Sequence, residues 1–138
     1  MQTRRATRFL RGLLFLAAAT LAAGAAAADL GARSSNNGGV SVSVTPKVVS
    51  PTAAAWEFSV VLNTHTQDLS DDLVKNTVLI DARGGRHSPT AWEGAPPGGH
   101  HRSGVLRFKG LGGQADRIEL QIRRPNEAAP RSFRWKLE

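Results

Sequence analysis

Regular alternation between apolar and polar side chains is the feature that most constrains this chain. Val40, Val42 and Val44 alternate with Ser41 and Ser43, so this segment has one apolar and one polar side. A period of two is the period of a β-strand, because successive side chains leave a strand on opposite faces. Six further short segments alternate in this way or form brief apolar runs, at 56–63, 78–80, 91–92, 106–109, 117–123 and 132–137.

Strands with one apolar face need a second sheet to cover that face. The chain has no cysteine, so no disulfide joins the sheets. We therefore predict an all-β fold, an immunoglobulin-like antiparallel β-sandwich of about seven strands without a disulfide, over residues 40–138. The expected core comprises Trp56, Phe58, Leu62, Leu120, Ile122, Phe133 and Trp135.

Two connections have recognisable local signals. Gly84 and Gly85 lie between two arginines and predict a two-residue hairpin loop, which needs positive φ angles. Residues 69–75 form the one segment in which we expect a helical turn.

The first 28 residues have the pattern of a secretory signal peptide. Arginines in the first eleven residues precede a short apolar run, 13–23, and small residues at Ala26 and Ala28 suit a cleavage site. The apolar run is too short for a membrane span, so we expect cleavage after Ala28 and no stable membrane anchor afterwards. The protein is then exported, to the periplasm or the extracellular space. Residues 29–39 lack apolar periodicity and are expected to be a flexible lead-in.

The charge balance changes when the leader is removed. The whole chain has 18 lysines and arginines and 11 aspartates and glutamates, a net charge of +7. Four of the arginines belong to the leader, so the remaining chain carries +3. Such a charge is ordinary for a soluble domain, and we expect no nucleic-acid partner.

Basic residues are concentrated in and before the last strand. They have two interpretations, a solvated sheet edge that resists aggregation or a site for an acidic polymer or anionic lipid. These residues are Arg123, Arg124, Arg131, Arg134 and Lys136.

The segment 96–102 has unusual chemistry. Two prolines and two glycines precede His100, His101 and Arg102, and a second polar segment contains His65 and Asp68. Loops gather at the ends of a sandwich, so the two segments are expected to approach each other. Imidazole and carboxylate groups suit Cu(II) or Zn(II), which makes His65, Asp68, His100 and His101 candidate metal ligands.

The same loop residues have two other interpretations. The histidines can hold the loop in shape by bonding to main-chain carbonyls. Alternatively, Arg102 and its neighbours contact an anion or a partner. His87 lies just after the predicted hairpin and is interpreted as structural.

The loop motifs resemble those of a family of small exported prokaryotic β-sandwich proteins of unknown function. The resemblance covers about residues 40–137 and rests on Asn63-Thr64-His65 with Asp68-Leu69, and on the run from Trp92 to Phe108. It implies a β-sandwich and export, and it supplies no activity and no ligand residue.

Two classes of function remain. Ser88 follows His87 directly, but neighbouring strand residues point apart, so they cannot act as a nucleophile and its base. We predict no catalytic and no cofactor-binding residue. The first class is an exported non-enzymatic module that binds a protein, a surface or a metal ion through the loops of His65 and His100/His101. The alternative is a small periplasmic metal-dependent enzyme, or a copper- or zinc-binding protein, that uses the same histidines.

Overall fold

The computed structural model describes residues 28–137. The predicted signal peptide therefore lies outside the described residues, apart from Ala28 at its end. The described residues contain nine β-strands and one short 3₁₀ turn, Gly112–Gln114. The strands are β1 (Arg33–Asn37), β2 (Val40–Val48), β3 (Ala55–Thr64), β4 (Thr77–Asp81), β5 (Arg86–His87), β6 (Ala91–Gly94), β7 (His101–Lys109), β8 (Arg117–Ile122) and β9 (Arg131–Lys136).

The strands form two antiparallel sheets. One sheet has the order β1-β2-β3-β7-β6 and the other has the order β5-β4-β8-β9. All seven segments predicted as strands are strands, and residues 28–137 contain no α-helix. The all-β class and the arrangement of two antiparallel sheets are confirmed.

The core lies between the sheets. The Phe58 ring on β3 lies 5.9 Å from the Trp135 ring on β9, which belongs to the other sheet, and 5.6 Å from Phe108 on β7. All seven residues predicted for the core are buried. The period-two pattern therefore gave the correct register on both sheets.

The expectation of a flexible lead-in at 29–39 is wrong. Residues 33–37 form β1, which pairs with β2 from Arg33–Val44 to Asn37–Val40. Gly38 and Gly39 have φ angles of 55° and 76°, the signature of a two-residue hairpin turn of type I′. Most of β1 is exposed, so it has no apolar periodicity, and main-chain pairing holds it in place.

The turn between β4 and β5 is longer than predicted. The amide of Asp81 donates to the carbonyl of Gly85 at 3.0 Å, and Asp81 Oδ1 accepts from the amides of Arg83 and Gly85 at 2.9 Å. Only Gly84 has a positive φ angle, 83°. The carboxylate of Asp81 therefore organises this turn, in place of a two-residue glycine loop.

Two glycines of the loop motifs allow an indole ring to lie on the sheet. Gly94 on β6 pairs with Gly104 on β7. A Cβ atom on Gly104 would lie 2.7 Å from Cζ2 of Trp92 and 2.6 Å from the carbonyl oxygen of Glu93. Trp92 thus occupies the space left by two missing side chains at the edge of the core.

Candidate functional site

Four connections meet at one end of the sandwich. We call this the loop end: the β1–β2 turn (38–39), the β3–β4 connection (65–76), the β6–β7 connection (95–100) and the β8–β9 connection (123–130). The predicted loop histidines lie here, because β3 ends and β7 begins at this end.

The β3–β4 and β6–β7 connections are joined by main-chain hydrogen bonds. The amide of Thr64 donates to the carbonyl of His100 at 2.9 Å. Leu69 donates to Gly99 at 3.0 Å, and Gly98 donates to Leu69 at 2.8 Å. The two polar segments therefore lie side by side, as the sequence predicts.

Thr64 joins a third connection to these two. Its buried hydroxyl donates to the carbonyl of Gly39 in the β1–β2 turn at 2.8 Å. The same oxygen accepts from the amides of Thr66 and Gln67 at 3.2 Å. The hydroxyl of Thr64 thus shapes the first residues of the β3–β4 connection and also holds the β1–β2 turn in place.

The structure does not assemble the predicted metal ligands. Oδ1 of Asp68 accepts from the amide of Gly99 at 2.8 Å, and Nδ1 of His101 bonds Oδ1 of Asn63 on the adjacent strand. His65 and His100 are exposed. Within residues 28–137, no three histidine, aspartate or glutamate side chains are grouped so that they could hold a metal ion.

Metal titration tests the predicted metal site directly. We expect Zn(II) and Cu(II) to bind the native protein no more tightly than a His65→Ala/His100→Ala/His101→Ala variant, because three grouped ligands are missing. Isothermal titration calorimetry measures both affinities. Tighter binding to the native protein, lost as the pH falls through about 6.5, would contradict this expectation, because protonated imidazole does not ligate metals.

Arg102 is buried, so the expectation that it contacts an anion or a partner is wrong. It is 2% exposed, and its Nη1 donates to the carbonyl of Asp71 at 2.6 Å and to that of Leu69 at 3.2 Å. Its Nε donates to the carbonyl of Ala95 at 3.2 Å, and its guanidinium lies 5.4 Å from the centre of the Trp92 ring. Burial lowers the pKa of Arg102, although the charge of Asp71 acts in the opposite direction. Arg102 therefore joins the β3–β4 connection to the β6–β7 connection from the inside of the sandwich.

Beside Arg102 lies an ion pair that is withdrawn from solvent. Nε and Nη2 of Arg124 donate to the two carboxylate oxygens of Asp71 at 2.8 and 3.0 Å. The two side chains are 3% and 1% exposed, respectively. This two-point contact links the β8–β9 connection to the β3–β4 connection, which belong to neighbouring strands of the smaller sheet.

A third buried arginine, Arg131, extends this network to β1. Nε and Nη2 of Arg131 donate to the carboxylate of Glu127 at 3.0 and 2.6 Å. Its nitrogens also donate to the carbonyls of Ser35, Asn37 and Val40 at 2.9 to 3.0 Å. The hydrogen bond from Arg131 lowers the pKa of Glu127, which favours its charged form. We call Arg102, Asp71, Arg124, Glu127 and Arg131 the buried charge network.

The sequence contains a signal for this network. Arg131 is in phase with Phe133 and Trp135 on the inward side of β9. Asp71 likewise lies between the buried residues Leu69 and Leu73. The expectation that Arg124 and Arg131 belong to a solvated edge is wrong, because their position in the alternation places them inside.

His87 lies at the other end of β4, away from the loop end. Its Nε2 atom is 2.8 Å from Oδ2 of Asp81, and this hydrogen bond lowers the pKa of Asp81. The pair closes the β4–β5 turn, which agrees with a structural role for His87.

Comparison of the chain with protein-family models, with curated proteins and with solved structures finds no match. None of the helical segments within residues 28–137 has the length and hydrophobicity that a membrane span requires.

Proposed function

We propose that this chain is an exported, non-enzymatic, immunoglobulin-like sandwich module that binds a partner through the loop end. β1 and β5 are edge strands of the two sheets. Apart from them, the seven remaining strands, lettered A to G in chain order, have the orders A-B-E-D and C-F-G. An immunoglobulin constant-type domain has these two orders, and this supports the immunoglobulin-like assignment. Such domains carry binding residues on the loops at one end of a rigid sandwich.

The observation that carries the proposal is the buried charge network under the loops. Removing a charged group from water costs on the order of several kcal/mol per ion. A buried ion pair therefore often stabilises a fold no more than apolar residues in its place would. The network instead fixes the relative positions of the loops that meet at this end. A binding surface needs such preorganisation, because ordering loops on binding reduces affinity.

The fixed loops present groups that suit recognition. His65, His100 and His101 are exposed at the loop end, and so are Pro96 and Pro97 of the β6–β7 connection. Imidazoles donate and accept hydrogen bonds, and prolines lose little entropy on binding. The export part of the proposal rests on the leader pattern of residues 1–28 and on the resemblance to exported sandwich proteins.

Site-specific photocrosslinking in the native host tests this proposal. A photoreactive amino acid is placed at His100 in the full chain, and in a second chain at Thr52, which is equally exposed but lies at the opposite end. We expect His100 to give a discrete adduct in the exported fraction and Thr52 to give none. The adduct is identified by mass spectrometry and reconstituted from the two purified proteins. The same adducts from both positions, or none from His100, would contradict the proposal.

A further inference from the structure

The outer face of the smaller sheet is strongly basic. We call it the basic face: the outward side chains of β5, β4, β8 and β9 together with Arg123, which continues the outward phase of β8. Among these described residues, five are basic and one is acidic, which gives a net charge of +4. The basic residues are Arg86, Arg117, Arg123, Arg134 and Lys136, and the acidic residue is Glu119.

The charges are spread over two dimensions. Ile80 at the centre pairs with Arg86 on one side and with Glu119 on the other, and Glu119 pairs with Arg134 on β9. This row crosses four strands and is about 15 Å long. Arg117 and Arg123 stand at the two ends of β8, about 20 Å apart. The basic groups thus surround an area of the sheet and do not follow one line.

Two shallow depressions divide the basic face. One lies between Lys75, Arg86 and Arg123, next to Val78. No acidic side chain lines this first depression. The other depression is lined by three basic side chains, Arg117, Arg134 and Lys136, and by three acidic ones, Asp81, Asp116 and Glu119, so its charges balance.

Glu119 is the acidic residue of the basic face, and it offsets one of the five positive charges there. Its carboxylate accepts hydrogen bonds from Gln121, Ser132 and Arg134 at 2.7, 2.8 and 3.0 Å. These bonds hold the carboxylate against the sheet and lower the pKa of Glu119. The guanidinium of Arg134 is thereby held over the middle of the face.

The outer face of the larger sheet differs in its chemistry. Its upper part consists of small uncharged side chains such as Ser41, Ser43 and Ser59. Near the opposite end, Arg107 contacts both Glu57, at 3.0 Å from Nε, and Glu93, at 3.3 Å. Lys47 and Lys109 are exposed there as well, so these five residues carry a net charge of +1, against +4 on the basic face. The positive charge of the domain is therefore concentrated on one of its two faces.

We propose that the basic face lies on an anionic membrane surface. A two-dimensional array of cations matches a surface of phosphate headgroups, whereas a linear polyanion would contact only one row of it. The depression between Lys75, Arg86 and Arg123 accommodates a headgroup, and Val78 and Ile80 provide apolar contact beside it. Lys75 and Arg123 lie at the border between the basic face and the loop end. The β6–β7 connection with His100 joins two strands of the other sheet, so it remains accessible for the partner in the proposed function.

Binding of this kind is electrostatic and reversible. Basic residues gain energy near an anionic bilayer, and the attraction falls off within a Debye length of about 10 Å at 0.1 M salt. The domain is therefore expected to leave the surface at high ionic strength.

Vesicle co-sedimentation tests the proposal. The probe is phosphatidylglycerol mixed into phosphatidylcholine vesicles, and the protein is residues 29–138, which contain both sheets and the whole described core but not the basic leader. We expect binding to the mixed vesicles at low salt and none to pure phosphatidylcholine. An Arg117→Gln/Arg123→Gln variant should lose about 30-fold in partition coefficient.

The matched control is Lys47→Gln/Lys109→Gln, which removes the same charge from exposed positions outside the basic face. It should lose less than about threefold, because those lysines face away from the bilayer. Thermal unfolding verifies that all variants are folded. Equal losses in both variants, equal binding to uncharged vesicles, or binding to heparin or DNA without binding to vesicles would overturn the proposal.

Discussion

Replacing Asp71 by alanine is expected to destabilise the fold by about 3–5 kcal/mol, the range for removing one partner of a buried ion pair. The change leaves the Arg124 guanidinium buried without its carboxylate, and Arg102 loses a neighbouring negative charge. Denaturant unfolding of residues 29–138, followed by tryptophan fluorescence, measures the free energy of unfolding.

Asp116→Ala is the control for this variant, because Asp116 is an exposed acid. Its free energy of unfolding should stay within about 0.5 kcal/mol of the native value, as is usual for surface substitutions. The double variant Asp71→Ala/Arg124→Met should recover part of the loss, because neither charge then remains buried alone. A loss in Asp71→Ala no greater than that in Asp116→Ala would mean that the pair is not buried in solution.

Truncating Trp135 to alanine is expected to cost about 3–5 kcal/mol, as large aromatic deletions in cores do. The indole is 2% exposed and contacts Phe58 of the opposite sheet, so its removal leaves a cavity between the sheets. The denaturation midpoint measures the effect.

Two further variants separate the contributions at this position. Trp135→Phe keeps an aromatic ring but loses the hydrogen bond from Nε1 to the carbonyl of Gly31 at 2.8 Å, so it should cost less than the alanine change. Lys136→Ala, at the exposed neighbouring position, should leave the midpoint almost unchanged. An unchanged midpoint in Trp135→Ala would refute the inward register of β9.

The strands that bury an apolar face could be predicted from the sequence. Alternation identifies β2, β3, β8 and β9, since a one-residue shift would expose every apolar side chain. β1 could not be found in this way, because most of its side chains face solvent. Its signal was local, the sequence Asn37-Gly38-Gly39, which suits a type I′ hairpin turn.

The loop end could be predicted only in part. Loops of a sandwich converge, so the approach of the two histidine-containing segments followed from the fold. The roles of individual side chains did not follow, because arginine and aspartate usually lie on surfaces. Their phase along the strand placed Arg102 and Arg131 inside, and only their partners in three dimensions explain how their charges are satisfied there.

The contacts of β9 with β1 and with the residues just before it have a consequence for the order of folding. Arg131 and Trp135 donate to the carbonyls of Asn37 and Gly31, which are separated from them by 94 and 104 positions. A chain that leaves a ribosome or a translocation pore from its first residue onward cannot form these contacts until almost the last residue has emerged. The β1–β2 hairpin therefore lacks its contacts with β9 until the rest of the chain has emerged. A chain truncated before β9 could form neither of these contacts.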